Sequence, residues 1–325
     1  MKVQELRQLL STADRALLEK AFVESYKHFS KNQKEEVDLV INGVLEGKEG
    51  TKKEKRVMEF GDLEQQITEF LWNARAQNYM APNRVIPKSQ RPKWRFLVKN
   101  FIKELEQIPV ESEHYSGSVK LLTDLYLLMC EACNYYLFST DDPFRSIGWQ
   151  QPDLFSAVVK RTFALGYTRE NISALLLYAA TGGLSRESLH TQMELVLISE
   201  LKNSDVRHTA MEEAKKLIEV KKGQLMKLKT YDSRYECEED INELCDTILL
   251  LSLPLAETEA VIPYYFLNSR EHEQEIVLYR ALKLMEWMDE DELWIKIYQY
   301  GLKIKIHPRD SLVKAYEGRK NAADK

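Results

Sequence analysis

Apolar residues in this chain recur at three- and four-residue intervals rather than alternating, the spacing that gathers them on one face of an α-helix. Leu17, Leu18, Ala21, Phe22 and Tyr26 form one such stripe, and Leu63, Ile67, Phe70, Leu71 and Ala74 form another. Polar pairs three residues apart precede helical runs: Ser11 with Asp14, Ser30 with Gln33, Asp62 with Gln65. A side-chain acceptor at that spacing satisfies first-turn N–H groups that lack an intrahelical partner. The run Gly47-Lys48-Glu49-Gly50 predicts a loop. Pro82, Pro87 and Pro92 follow at five-residue spacing, and no helix passes through three prolines. Residues 81–92 therefore predict a loop or linker between an N-terminal helical region, 1–80, and a body, 93–325. The next helix opens near Pro92, a favoured first-turn position, and ends before Pro109. Val119 to Phe138 is apolar nearly all round, which predicts a central helix with neighbours on most sides.

Downstream, helices are expected to start near Pro152, Arg169, Arg186, Asp205, Glu236, Arg270 and Glu290, with Gly166 and Gly182-Gly183 as stops. Several starts lie roughly 17 to 20 residues apart, so two-helix units would repeat at the period of helical-hairpin arrays. In the last unit Leu278, Ala281, Leu282, Met285 and Met288 line one helix. Asp289 with Glu292 is placed to cap the next, lined by Leu293, Trp294, Ile297, Tyr298, Gly301 and Leu302, with Pro308 beyond. This unit resembles the helical hairpins of tetratricopeptide and HEAT-like α-solenoid proteins. Its first helix lacks the tetratricopeptide Trp, Leu-Gly and Tyr pattern, and Pro308 is out of register. The resemblance implies a fold of stacked antiparallel helical hairpins; an irregular helical bundle is the alternative.

Composition strengthens the helical class. Only 12 Gly and 9 Pro occur in 325 residues, about half the ordinary frequency, which is too few turn formers for a many-stranded sandwich or barrel. The hydrophobic and charged shares, 44% and 30%, are those of a globular chain rather than a disordered one. Met1 to Arg7 has no apolar signal region, and the longest apolar stretch, Ile248 to Ala256, is short for a membrane span and interrupted by Pro254. Four cysteines without secretory context read as reduced thiols in a cytoplasmic setting.

Candidate chemistry is sparse. Cys130 and Cys133 have CxxC spacing but lie inside an apolar helix, so they read as core residues. Glu111 with His114 and Glu187 with His190 both read Glu-x-x-His, a spacing used by di-iron bundles, yet each falls at a helix junction where acidic and polar residues are ordinary. Ser311 to Lys314 reads SxxK and is taken as a solvated helix face. No HExxH, GxSxG, phosphate-binding or dinucleotide glycine motif occurs. No catalytic residue, metal ligand or cofactor is accordingly predicted. Asp124 and Glu131 on the polar stripe of the central helix are the best carboxylate pair for an enzymatic alternative.

Charge is the strongest signal. Arg84, Lys88, Arg91, Lys93, Arg95, Lys99 and Lys103 occupy one twenty-residue window without an acid, interleaved with Trp94 and Phe96. Bases neutralise acidic partners or phosphates, and aromatics stack on nucleobases; a solvated helix face with inward aromatics is the plain alternative. The net charge of −5 weighs against nonspecific duplex binding. Tyr231 to Ala260 and Glu286 to Glu292 are acid-rich, expected as solvated faces; a contact with the basic window, within or between chains, is the alternative. Of the paired tyrosines, Tyr264 and Tyr265 after Pro263 are expected to be the most exposed. The sequence thus predicts a non-catalytic protein-binding scaffold, with Arg84, Lys88, Arg91, Lys93, Trp94, Arg95, Lys99, Tyr264 and Tyr265 at the contact surface. Nucleic-acid binding through the window from Arg84 to Lys103 is the alternative. The partner and association state are left open, and no membrane contact is expected.

Overall fold

A computed structural model describes residues 3–30, 34, 37, 38, 41, 42, 44, 45 and 59–323. The expected loop at Gly47 to Gly50 and the Ser30–Gln33 cap lie wholly or partly outside them. The described residues are all-helical and contain no strand.

The chain divides into two units, 1–59 and 60–325. In the first, α1 (Val3–Thr12) and α2 (Arg15–Lys27) are separate helices. Asp14, not Ser11, caps α2, its carboxylate accepting from the Leu17 N–H at 2.8 Å. No side chain of α2 is buried. Its apolar stripe is a helical face, with Leu17 and Phe22 both exposed.

The second unit contains α3 (Phe60–Arg75), a 3₁₀ turn at Arg91–Lys93, α4 (Trp94–Glu106), α5 (Tyr115–Asn134), α6 (Pro143–Ile147), α7 (Gln151–Ala164), α8 (Arg169–Ala180) and α9 (His190–Glu200). It continues with α10 (Ser204–Leu225), α11 (Tyr231–Leu255), α12 (Thr258–Asn268), α13 (Gln274–Trp287), α14 (Asp291–Lys303) and α15 (Asp310–Ala323). The helices that pack substantially on one another lie within three positions in chain order, from α3 on α5 through α8 on α11 to α14 on α15.

The proline-rich segment does not separate domains. Helices on both sides of it share one aromatic core: Phe70 of α3 meets Phe101 of α4 at 5.7 Å between ring centroids and Phe138 at 6.1 Å. The boundary between units falls at 59/60 instead. All five residues of the α3 stripe, Leu63, Ile67, Phe70, Leu71 and Ala74, are buried. α5 is buried on most sides, as its sequence predicts, but it ends at Asn134 and leaves Tyr135 and Tyr136 exposed beyond it. α11 is a second long buried helix that begins at Tyr231 rather than Glu236. Its run from Leu244 to Ser252 lies wholly inside despite the acids around it.

One expected cap changes. Asp289 takes a left-handed backbone, φ 59°, and Glu290 stands at the cap of α14 without a side-chain bond to the helix. Gly182 follows α8 in a left-handed conformation, φ 99°. Gly183 then packs against the Cys130 carbonyl so closely that a Cβ would collide with it.

Candidate functional site

The basic window spans α4 and the loop before it. Asn83 shapes that loop: its amide donates to the Asn78 carbonyl at 2.6 Å and to the Met80 carbonyl, and its oxygen accepts from the N–H groups of Val85 and Ile86 at 3.1 and 3.3 Å. Arg91 closes it, Nε donating to the Ile86 carbonyl at 3.0 Å and Nη2 to the Asn83 carbonyl. Two backbone carbonyls thereby hold the guanidinium in place.

Arg84, Lys88, Lys93, Arg95, Lys99 and Lys103 are exposed, and Arg91 is half-buried. Among the described residues none of the seven has a carboxylate at ion-pair distance. Other arginines of the same unit find acids: Arg75 reaches Glu131 at 3.0 Å, Arg169 reaches Glu213 at 2.7 Å, and Arg309 reaches Glu275 at 2.7 Å. The first turn of α4 carries no acid either, leaving the positive end of its dipole uncompensated.

Trp94 is not on this surface. It is 5% exposed and joins the stripe Trp94, Val98, Phe101, Ile102 and Leu105 that buries α4. Its indole stacks on Phe138 with centroids 4.0 Å apart. Phe96, two residues on, is 53% exposed beneath the Arg95 guanidinium.

Between the proline loop and residues 139–146 lies a cleft of about 560 Å³. Lys88, Arg91 and Arg95 line one side, Ser139, Thr140 and Ser146 the other, and Tyr79 and Trp94 also border it. The nearby acids are engaged elsewhere. Asp142 accepts from the Arg145 N–H at 3.1 Å and from Ser185 Oγ at 2.7 Å, and Asp141 faces Arg186 at 3.6 Å.

Tyr264 and Tyr265 stand on α12, far along the chain from the window. The helix runs through Pro263, which is exposed, because Val261, Ile262, Tyr265 and Phe266 bury its inner face. Tyr265 is 1% exposed and donates to Asp246 at 2.7 Å, so it is a core residue; Tyr264 is half-buried. The exposed pair is Tyr135-Tyr136, at 63% and 72%.

The acid run on α11 is a partly buried network rather than a solvated face. Arg280 of α13 donates to Asp246 at 2.8 Å, Glu243 at 2.6 Å, Glu239 at 3.2 Å and Glu271 at 3.4 Å. Glu194 of α9 is fully buried nearby, accepting from Thr247 at 2.6 Å. Burial, reinforced by Glu243 and Asp246, holds the Glu194 carboxyl well above the ordinary range. Burial, with Asp246 adjacent, pushes Glu243 up to about 7. Sequence reasoning missed this network because Arg280 is distant in the chain from the acids it gathers.

For the enzymatic alternative, Glu131 is the partner of Arg75, and burial raises Asp124 against the opposing pull of Lys120 and Arg75. Burial pushes the Cys130 and Cys133 thiols up to about 12, which keeps both protonated and poorly nucleophilic. His114 stacks on Phe60, and His190 Nδ1 lies 3.0 Å from the Ala179 carbonyl. Among the described residues no group of three or more His, Cys, Asp or Glu is arranged to hold a metal ion, and no helix is long and apolar enough to cross a membrane. No protein-family model, curated protein or solved structure matches this chain.

Proposed function

We propose that this chain is a non-catalytic interaction module that binds an acidic protein segment on the basic surface formed by Arg84, Lys88, Arg91, Lys93, Arg95, Lys99 and Lys103. The observation that carries the reading is that, among the described residues, none of the seven bases has a carboxylate partner, in an acidic molecule whose other arginines commonly find them. Unpaired charge on one surface steers an oppositely charged partner and fixes its register. Helices that pack on near neighbours in the chain suit an α-solenoid-like array, which displays extended binding surfaces of this kind. Four free thiols, three of them buried, suit a reducing, cytoplasmic setting.

Nucleic acid would use the same bases, but burial of Trp94 leaves Phe96 as the window's exposed stacking platform. The test is fluorescence anisotropy with a labelled twenty-residue poly-glutamate peptide and a twenty-nucleotide single-stranded RNA, against the wild type and Lys93→Glu/Arg95→Glu/Lys99→Glu. The reading expects salt-sensitive peptide binding that the triple reversal reduces at least tenfold. RNA binding that far exceeds peptide binding through the same residues would favour the alternative.

A further inference from the structure

We propose that the cleft between the proline loop and residues 139–146 receives a phosphorylated serine or threonine side chain of the acidic segment, an inference that rests on the interaction reading above. The cleft encloses about 560 Å³, within the range of pockets that accept small groups. Three cationic side chains, Lys88, Arg91 and Arg95, border this single space. A carboxylate has one charge and two oxygens to offer them. A phosphate monoester carries about −1.5 to −2 charge and three strong acceptor oxygens, and so fits three cations far better.

The opposite wall adds hydroxyl donors. Thr140 Oγ1 and Ser146 Oγ lie 2.7 Å apart, and Ser139 is exposed at the rim. Hydroxyl protons rotate to meet an acceptor, so this pair can turn a donor toward an incoming oxygen. Arg91 is preorganised, because Ile86 and Asn83 hold its guanidinium through their carbonyls; little rotamer entropy is then lost on binding. The aromatic wall at Trp94 and Tyr79 lowers the local dielectric, which strengthens each charge-assisted bond. Asp141 and Asp142 do not compete, since they are held by Arg186, Arg145 and Ser185. The lysines further along α4, Lys99 and Lys103, lie outside the cleft lining and would meet the flanking acids of the same segment.

The test is a degenerate peptide array enriched in Asp and Glu with a fixed central phosphoserine, phosphothreonine or serine, probed with the full chain. Expected is at least tenfold stronger binding to the phosphorylated sets. Lys88→Ala and Arg95→Ala, both exposed positions, should weaken binding to the phosphorylated sets several-fold more than binding to the serine set, so that the difference between the sets closes. Arg91 is spared because its removal would release the loop, and thermal denaturation verifies that both variants fold. Equal binding to phosphorylated and serine peptides overturns the phosphate site while the acidic-partner reading stands. A phosphate preference that survives both variants overturns the site as placed here. Absence of binding to every acidic set overturns both proposals.

Discussion

The indole of Trp94 lies face to face with the ring of Phe138, centroids 4.0 Å apart and planes 14° from parallel. This contact ties the first turn of α4 to the segment that follows α5, and so sets one side of the basic cleft against the other. Phe138 also meets Phe70 and Tyr79, which makes the stack part of the core that supports the surface. Trp94→Ala should destabilise the unit by about 3–5 kcal/mol, and Trp94→Phe by clearly less. Urea denaturation monitored by far-ultraviolet circular dichroism measures both; a loss under about 1 kcal/mol for Trp94→Ala would contradict the assignment of this indole to the core.

Stability at neutral pH should bear the mark of Glu243. Its carboxyl titrates near 7 in the folded chain, against about 4.3 for an unperturbed glutamate. The folded state therefore holds a proton that the unfolded state has released. The stabilisation is full below about pH 4.3 and is lost as pH rises through 7, the reverse of a carboxylate stabilised in its charged form. Glu243→Gln, which cannot ionise, should gain stability relative to the wild type between pH 5 and pH 8, on the order of 2 kcal/mol. Chemical denaturation at the two pH values gives the difference directly. A gap that stays constant or narrows with rising pH would show that Glu243 is already charged at pH 5.

Arg280 should be among the most sensitive residues of the C-terminal half. It is the shared donor to Glu239, Glu243, Asp246 and Glu271, and its removal leaves buried negative charge unopposed. Arg280→Met is expected to cost about 3–5 kcal/mol. Arg75→Ala breaks only the half-exposed pair with Glu131 and should cost under about 1 kcal/mol. Similar losses in the two variants, measured by thermal denaturation, would argue against the central place given to Arg280.

Gly183 should resist substitution. A Cβ there would collide with the Cys130 carbonyl, a backbone group that does not yield without moving α5, and would come within 3.0 Å of the Asn134 side chain. Its own carbonyl accepts from buried Gln151 at 3.1 Å. Gly183→Ala should lose about 1–3 kcal/mol or more, while Gly223→Ala, on the open face of α10 where nothing lies near, should be neutral or stabilising. A tolerated Gly183→Ala, judged by the same denaturation assay, would mean that α5 and the turn after α8 are less tightly apposed than described.

The helical class and much of the core were legible because both depend on local spacing. The stripe Leu63, Ile67, Phe70, Leu71, Ala74 is buried as its period predicts. Trp94 was misplaced although its signal was present: Trp94, Val98, Phe101, Ile102 and Leu105 keep helical period, whereas Phe96 falls outside that stripe. Tyr265 is buried rather than exposed because Pro263 does not end the helix, and the inner face of α12 carries the helix through it. The carboxylate network was not legible at all. An acid run of this composition reads as solvated until a distant guanidinium is placed among its members, and only the tertiary packing of α11 on α9 and of α12 on α13 brings Glu194 and Arg280 to it.

The central claim is that the unpaired basic surface from Arg84 to Lys103 engages an acidic protein. It is tested most directly by quantitative affinity purification with the wild-type chain and with Lys93→Glu/Arg95→Glu/Lys99→Glu, combined with crosslinking to locate the contact. The account predicts that proteins lost from the variant carry acidic segments crosslinked to residues 84–103 of the wild type, and that added salt weakens their capture. Recovery of the same proteins at the same yield by both chains, with crosslinks elsewhere, would contradict it.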